Sequence, residues 1–395
     1  MKVRTGLDLL TENTERCGEF KGNVALLCHN ASVTSHLEPA ALAFKRCFGN
    51  RFVKLFGPQH GFSTDAQDNM IETDHIIHPY LNIPVYSLYS ETRVPTDSML
   101  EGIDHFFIDL QDIGCRMYTY IYTLTLILEK CAGKDIEVIV LDRPNPINGS
   151  VIEGNVLDED FASFIGRHPI PVRHGMTIAE VALMHQKYWT KVKANLRVIE
   201  MSGWKREMYF EDTGLPWLLP SPNIARPEST LTFPGMVLFE GTNLSEGRGT
   251  TQSLEIAGHP KIASYELFEK HLEDRFKGSG LQGMVLRPIN FMPTFQKHAD
   301  QVCGGFQLHI TNRKTAQPWR AGQFLLKELY HVLEDDFRWL SPPYEYDYTH
   351  TPIDIINGTD LLRNWVERNG HMEELETYEK DHAPYLEQLN SIKRY

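Results

Sequence analysis

Five short apolar runs, at residues 24–28, 53–56, 85–88, 106–110 and 138–141, punctuate the first half of this 395-residue chain. Strands read as near-continuous apolar runs when helices cover both faces of a parallel sheet. Helical patterns lie between the runs; in 118–131, for example, Ile121, Leu124 and Leu128 share one face. This alternation predicts an α/β fold with a Rossmann-like, doubly wound, mostly parallel sheet. After a Pro-rich connector at 143–171, a further helix is expected to open at Thr177, where Glu180 completes a capping box. Pro216, Pro220, Pro222, Pro227 and Pro234 then interrupt the chain without continuing any element. The boundary is drawn there, with a catalytic domain at 1–226 and a smaller α+β domain at 227–395. The second part carries an alternating strand through Phe306, Leu308 and Ile310. It also carries a helix through Leu325, Leu329 and Val332, and a charged helical end from His371.

Composition narrows the function. A formal charge of −13 with no basic patch excludes nucleic acid and anionic membrane surfaces as partners. The six cysteines form no C-x-x-C pair, so neither a thiolate zinc site nor a disulfide framework is expected. They read as free thiols in a reducing compartment. No stretch approaches membrane-spanning length, and the N-terminus lacks the apolar core of an export signal. As written, the chain reads as cytoplasmic; it would be periplasmic or secreted if a signal once preceded it.

Ligands of open parallel sheets bind outside the carboxyl ends of the strands. Past those ends come His29 and Asn30; residues 57–61 with His60 and Asp65; Ser87, Glu91 and Arg93; Asp109, Gln111, Asp112 and Arg116; and Asp142, Arg143 and Asn145. Asn145 and Asp142 are also natural turn formers. A loop at 240–251 adds Asn243, Glu246, Gly247, Arg248 and Gly249. Its spacing is neither that of a phosphate-binding loop nor that of a dinucleotide fingerprint. With no G-x-S-x-G and no H-E-x-x-H, hydrolysis would fall to carboxylates. Glu91 is the candidate general acid, because an apolar strand, Tyr86 and Tyr89 precede it and partial burial would raise its pKa. An ordinary carboxylate in a helix's first turn is the alternative for that position.

Several stretches resemble one family. They are the Gly57-Pro58-Gln59-His60-Gly61 segment, Tyr89-Ser90-Glu91-Thr92-Arg93, Asp109-Leu110-Gln111-Asp112-Ile113-Gly114, Asp142-Arg143-Pro144-Asn145, Arg173-His174-Gly175-Met176-Thr177 and the loop at 240–250. Together they resemble the exo-β-N-acetylmuramidases, a glycoside hydrolase family of cell-wall recycling. The resemblance covers almost the whole chain. It implies an active-site cleft between the two domains and release of N-acetylmuramic acid from the non-reducing end of peptidoglycan fragments. It implies no cofactor and no metal, and it places the family's catalytic glutamate at Glu91. Here Ser90 stands where relatives more often have glycine, and Gln59 where many have glutamate.

For the second catalytic group the candidates are Glu246, Asp112 and Asp65, in that order; the acetamido group of the substrate itself is a further option. Carboxyls about 5–5.5 Å apart would retain configuration, and about 6.5–9.5 Å would invert it. A muramic acid carries a lactyl carboxylate, for which Arg93, Arg116 and Arg248 are candidate partners. His60 and Asn243 are candidates for the sugar hydroxyls or the acetamido group. Two other readings stay open: a catalytically silent cell-wall sugar-binding protein, and a phosphate- or nucleotide-handling Rossmann enzyme.

Overall fold

The computed structural model describes residues 2–68, 71–379 and 382–395. Its strands in chain order are β1 (Val24–Leu27), β2 (Phe52–Gly57), β3 (Ile76–Ile77), β4 (Pro84–Ser87), β5 (His105–Ile108), β6 (Glu137–Leu141), β7 (Glu153–Val156), β8 (Pro171–Arg173), β9 (Asn195–Ile199), β10 (Ile256–His259), β11 (Met284–Phe291) and β12 (Cys303–Ile310). Seven of them form one sheet in the order β3-β4-β2-β1-β5-β6-β9. Every pairing in it is parallel except that of the short edge strand β3.

Alternation within the strands explains the apolar runs. Val24 and Leu26 of β1 join one core with Phe44 and Phe48 of the helix Ala40–Phe48. Ala25 and Leu27 point the other way, into a larger core with Ile121, Leu124 and Leu128 of the helix Tyr120–Cys131. Both faces are dry, so both side-chain sets are apolar. The helix begins at Tyr120, two residues later than its pattern suggests. The helix Ile178–Met184 opens at Thr177 with both hydrogen bonds of the capping box present.

The connector read at 143–171 is more structured than its prolines suggest, because it supplies β7 and leads into β8, an antiparallel pair. The C-terminal part is built on the antiparallel sheet β10-β12-β11 and the helix Pro318–Leu333. That helix packs against the helix Pro227–Met236 through facing glycines. A Cβ on Gly322 would lie 2.3 Å from the Gly235 carbonyl oxygen, and one on Gly235 would lie 2.0 Å from the Pro318 oxygen. Backbone cannot yield as a side-chain tip can, so Gly322→Ala is expected to cost about 3 kcal/mol. Chemical denaturation should show the loss as a lower midpoint at unchanged slope.

Candidate active site

The chain runs from β1 outward to β2 and β4, then returns to β5 and continues outward through β6 and β9. The switch point therefore lies between β1 and β5, where open α/β sheets bind ligands. Here the first polar groups past the strands neutralise each other. Arg143 grips Asp109 in a two-pronged ion pair of 2.6 and 2.7 Å, with both side chains buried. Its Nη2 also donates to the Val33 carbonyl at 2.9 Å. His29 Nε2 accepts from the Gln111 amide, and burial, helped by Arg143, pushes its pKa down to about 3.

Beyond this clamp a narrow cavity of about 40 Å³ opens between the sheet's rim and the C-terminal part. Gln59, His60 and Thr119 come from the sheet side; Glu240, Arg248, Tyr344 and Glu345 close it from the other. Glu345 is a buried carboxyl of the cavity that sequence reasoning did not single out. It sits at the tip of a tight turn in which Tyr344 and Asp347 exchange backbone hydrogen bonds of 2.9 Å. Both central residues, Glu345 (φ 45°) and Tyr346 (φ 69°), have left-handed backbone. Such turns ordinarily use Asn-Gly there. Holding two larger residues in that region costs of order 1–3 kcal/mol each, a strain characteristic of functional sites.

The turn points Glu345 inward and Tyr346 outward. The Tyr89 hydroxyl donates to Glu345 Oε2 at 3.1 Å. Burial raises the Glu345 carboxyl to about 7; the nearby Glu240 adds to the rise, while the bonds from Tyr89 and Gln59 oppose it. Glu240 is already committed, to Arg248 through one oxygen and to the Tyr344 hydroxyl (2.7 Å) through the other. A buried carboxyl that holds its proton near neutrality, beside one paired with an arginine, is an arrangement suited to a general acid.

The residues singled out from sequence divide sharply. His60 does line the cavity; its Nδ1 donates to the Ala66 carbonyl at 2.8 Å, and burial lowers its pKa to about 4. Arg93 lies between the rings of Tyr89 (4.6 Å) and Tyr346 (3.9 Å), so it joins the sheet side to the strained turn. Its Nη2 pairs with Glu72 at 3.1 Å, and its Nε has no partner among the described residues. Glu91 lies outside the cavity. Its side chain is 75% exposed and 3.4 Å from His75 Nε2. The pKa is lowered, by its own backbone amide first, then by Ser90 and His75. The expectation of a raised pKa at Glu91 is therefore corrected: no apolar wall surrounds it. Asp65 is exposed too and lines a separate outer groove with Tyr86 and Ser87.

Four other expectations are corrected by packing. Arg116 is fully buried and donates to four backbone carbonyls, those of Asn155 (2.8 Å), Ile170 (3.1 Å), Ile356 (3.3 Å) and Asn357 (2.7 Å). Its guanidinium is spent on the backbone. Asp112 is enclosed away from the cavity, with Oδ2 bonded to the Gly114 amide at 2.7 Å, and burial lifts its pKa to about 7. Glu246 is buried behind Arg248 (3.2 Å) and Lys297 (2.9 Å), whose charges outweigh burial and lower its pKa. Asn243 spends its side chain on the Asp336 carbonyl and the Arg338 amide.

Arg248 reaches the cavity wall but faces it already paired with Glu240 and Glu246. The glycines of its loop serve packing: a Cβ on Gly249 (φ 81°) would lie 2.7 Å from the Thr294 nitrogen. A larger cavity elsewhere, on the three-stranded sheet, is open to solvent and has carboxylates matched to arginines, Glu255 with Arg226 and Glu211 with Arg313.

A Rossmann-like sheet, a smaller antiparallel unit and a carboxyl-lined cleft between them define a two-domain α/β protein with the equipment of a glycoside hydrolase. Comparison with known proteins gives the particular family: the chain belongs to the exo-β-N-acetylmuramidase NamZ family. The N-terminal family model matches residues 24–228 and the C-terminal model residues 231–395. The chain is 38% identical over 381 residues to the peptidoglycan β-N-acetylmuramidase NamZ of Bacillus subtilis (strain 168), covering 96% of this chain and 88% of that protein. A crystal structure of a DUF1343 family protein from Bacteroides fragilis NCTC 9343 superposes with a TM-score of 0.86 at 29% identity, over 100% of this chain and 99% of that one. A second from the same organism, 24% identical with a TM-score of 0.76 and the same coverage, shares the fold.

Proposed function

We propose that this protein is an exo-acting β-N-acetylmuramidase, hydrolysing the bond of a terminal non-reducing N-acetylmuramic acid in peptidoglycan fragments. The observation that carries the reading is Glu345, a buried carboxyl in the cleft whose pKa lies near 7. The activity named for the Bacillus relative supports the substrate class. Residues 1–226 and 227–395 act as the two units, and the cleft between them takes the sugar.

In this proposal Glu345 protonates the leaving oxygen as the glycosidic C–O bond breaks. Glu91, held ionised but outside the cavity, takes the proton of the attacking water only through intervening solvent, and both carboxyls exchange protons with solvent before the next turnover. The lactyl carboxylate is taken by Arg93, whose guanidinium sits at the turn. Arg116 and Arg248 are spent on the protein itself. His60 contributes as a neutral hydrogen-bonding group, since its lowered pKa keeps it uncharged at pH 7.

The test is release of N-acetylmuramic acid from a chromogenic muramide. Glu345 must be protonated to act, so the rate is expected to fall as pH rises through about 7. Glu91→Gln should slow turnover and leave that alkaline limb in place. An alkaline limb that disappears with Glu91 would return the acid role to that residue. A wild type that binds the sugar without cleaving it at any pH would favour a sugar-binding protein.

A further inference from the structure

We infer that Glu129, His168 and His185 form a binding site for a single zinc-class divalent cation, remote from the cleft. One ligand atom from each residue lies within 4.8 Å of the others. The three come from separate parts of the chain: the last turn of the helix Tyr120–Cys131, the loop before β8, and the π-helical turn His185–Trp189. No motif spacing in the sequence betrays them. Thr119, at the start of the first helix, lines the active-site cavity. At 1.5 Å rise per residue, Glu129 is about 15 Å further along.

Two observations point to a ligand. Buried polar atoms ordinarily have partners, yet His168 Nε2 has none among the described residues. His168 is 8% exposed and His185 is wholly buried. The rings are also held in place. His168 stacks on Trp189 at 4.2 Å and 11°, and a π turn, a feature frequent at functional sites, sets the angle of His185.

Two imidazoles and one carboxylate are a zinc donor set, with water completing the tetrahedron. At present His185 Nε2 lies 3.3 Å from Glu129 Oε1, while Arg167 bonds the other carboxylate oxygen (3.1 Å) and Thr125 (3.2 Å). A cation would take over the first oxygen and leave Arg167 on the second, which limits Glu129 to one bond.

The groups facing the histidines are Glu129, Arg167 and each other; Tyr122 also faces His168, but its hydroxyl is committed to the Arg116 carbonyl. Burial lowers both histidine pKa values, that of His168 to about 3.

The experiment is equilibrium dialysis of the full chain against Zn²⁺ with metal analysis, repeated with Co²⁺ for its visible spectrum. One ion per chain is expected, with a tetrahedral Co²⁺ spectrum lacking a thiolate charge-transfer band and with a raised unfolding temperature. His168→Gln should abolish binding. Glu129→Gln, at a part-exposed position that leaves the core intact, should weaken it at least tenfold. Substoichiometric metal, a thiolate band, or unchanged affinity in Glu129→Gln would overturn the site.

Discussion

Glu345→Gln is expected to slow muramide cleavage by about 10²–10⁴-fold, the range that a positioned general acid contributes. The same substitution should leave the fold intact and stabilise it in a pH-dependent way. A carboxyl raised to about 7 from its usual 4.5 stays protonated in the native protein while the unfolded chain ionises. Between those values the native state binds more protons, so stability falls as pH rises. The wild type thus forgoes about 2.5 kcal/mol at pH 8 that it retains at pH 5. Glutamine carries no such charge, and its amide oxygen still accepts from Tyr89. Urea unfolding of the variant should show a gain about 2.5 kcal/mol larger at pH 8 than at pH 5. A variant of near-normal activity, or one equally stabilised at both pH values, would remove Glu345 from the acid role. The left-handed backbone at Glu345 and Tyr346 adds a strain of order 1–3 kcal/mol per residue that the substitution leaves in place.

The five central strands were legible because a strand covered on both faces has no polar alternation to obscure it. The edge strand β9 was not: Asn195 and Arg197 are exposed, so half its residues look like loop. The capping box at Thr177 is local chemistry and reads directly from four residues. Polar residues at the sheet's rim were also legible, but their partners were not. Asp109 and Arg143 stand 34 positions apart, and only the fold reveals that each is the other's counter-ion. Glu345 is the extreme case. Its partner Tyr89 is 256 residues away, and its turn carries neither the glycine nor the asparagine that would announce left-handed backbone. Glu91 read as the acid on two grounds: its aromatic neighbours in sequence, and the family resemblance that places a catalytic glutamate there. In the fold those rings pack elsewhere, Tyr89 against Glu345 and Tyr86 against Phe56, and leave Glu91 in water.

Arg116→Met is expected to destabilise the protein by about 4 kcal/mol while the folded fraction keeps its KM. From sequence, Arg116 was as good a partner for the lactyl carboxylate as Arg93, and that role would give the opposite result: a raised KM at unchanged stability. The packing decides between them. The guanidinium has no carboxylate beside it; burial lowers its pKa to about 10. It is instead satisfied by carbonyls from β7 (Asn155), from the residue before β8 (Ile170) and from the end of the helix Pro352–Asn357 (Ile356 and Asn357). These segments belong to different halves of the chain, so the side chain acts as a rivet across the interface that shapes the cleft. Methionine can fill the volume but donates nothing. Four buried carbonyls lose a charged donor, and each orphaned group costs about 1–3 kcal/mol before relaxation. Relaxation and water entry reduce the sum, which places the net loss at the upper end of single substitutions. Lysine should recover part of it, because its ammonium offers three donors, though not the planar fork that reaches four carbonyls. Thermal unfolding of the wild type, Arg116→Lys and Arg116→Met should therefore fall in that order. Parallel kinetics at a temperature where all three are folded should give one KM; a KM that climbs while the unfolding temperature holds would put Arg116 in the substrate's path.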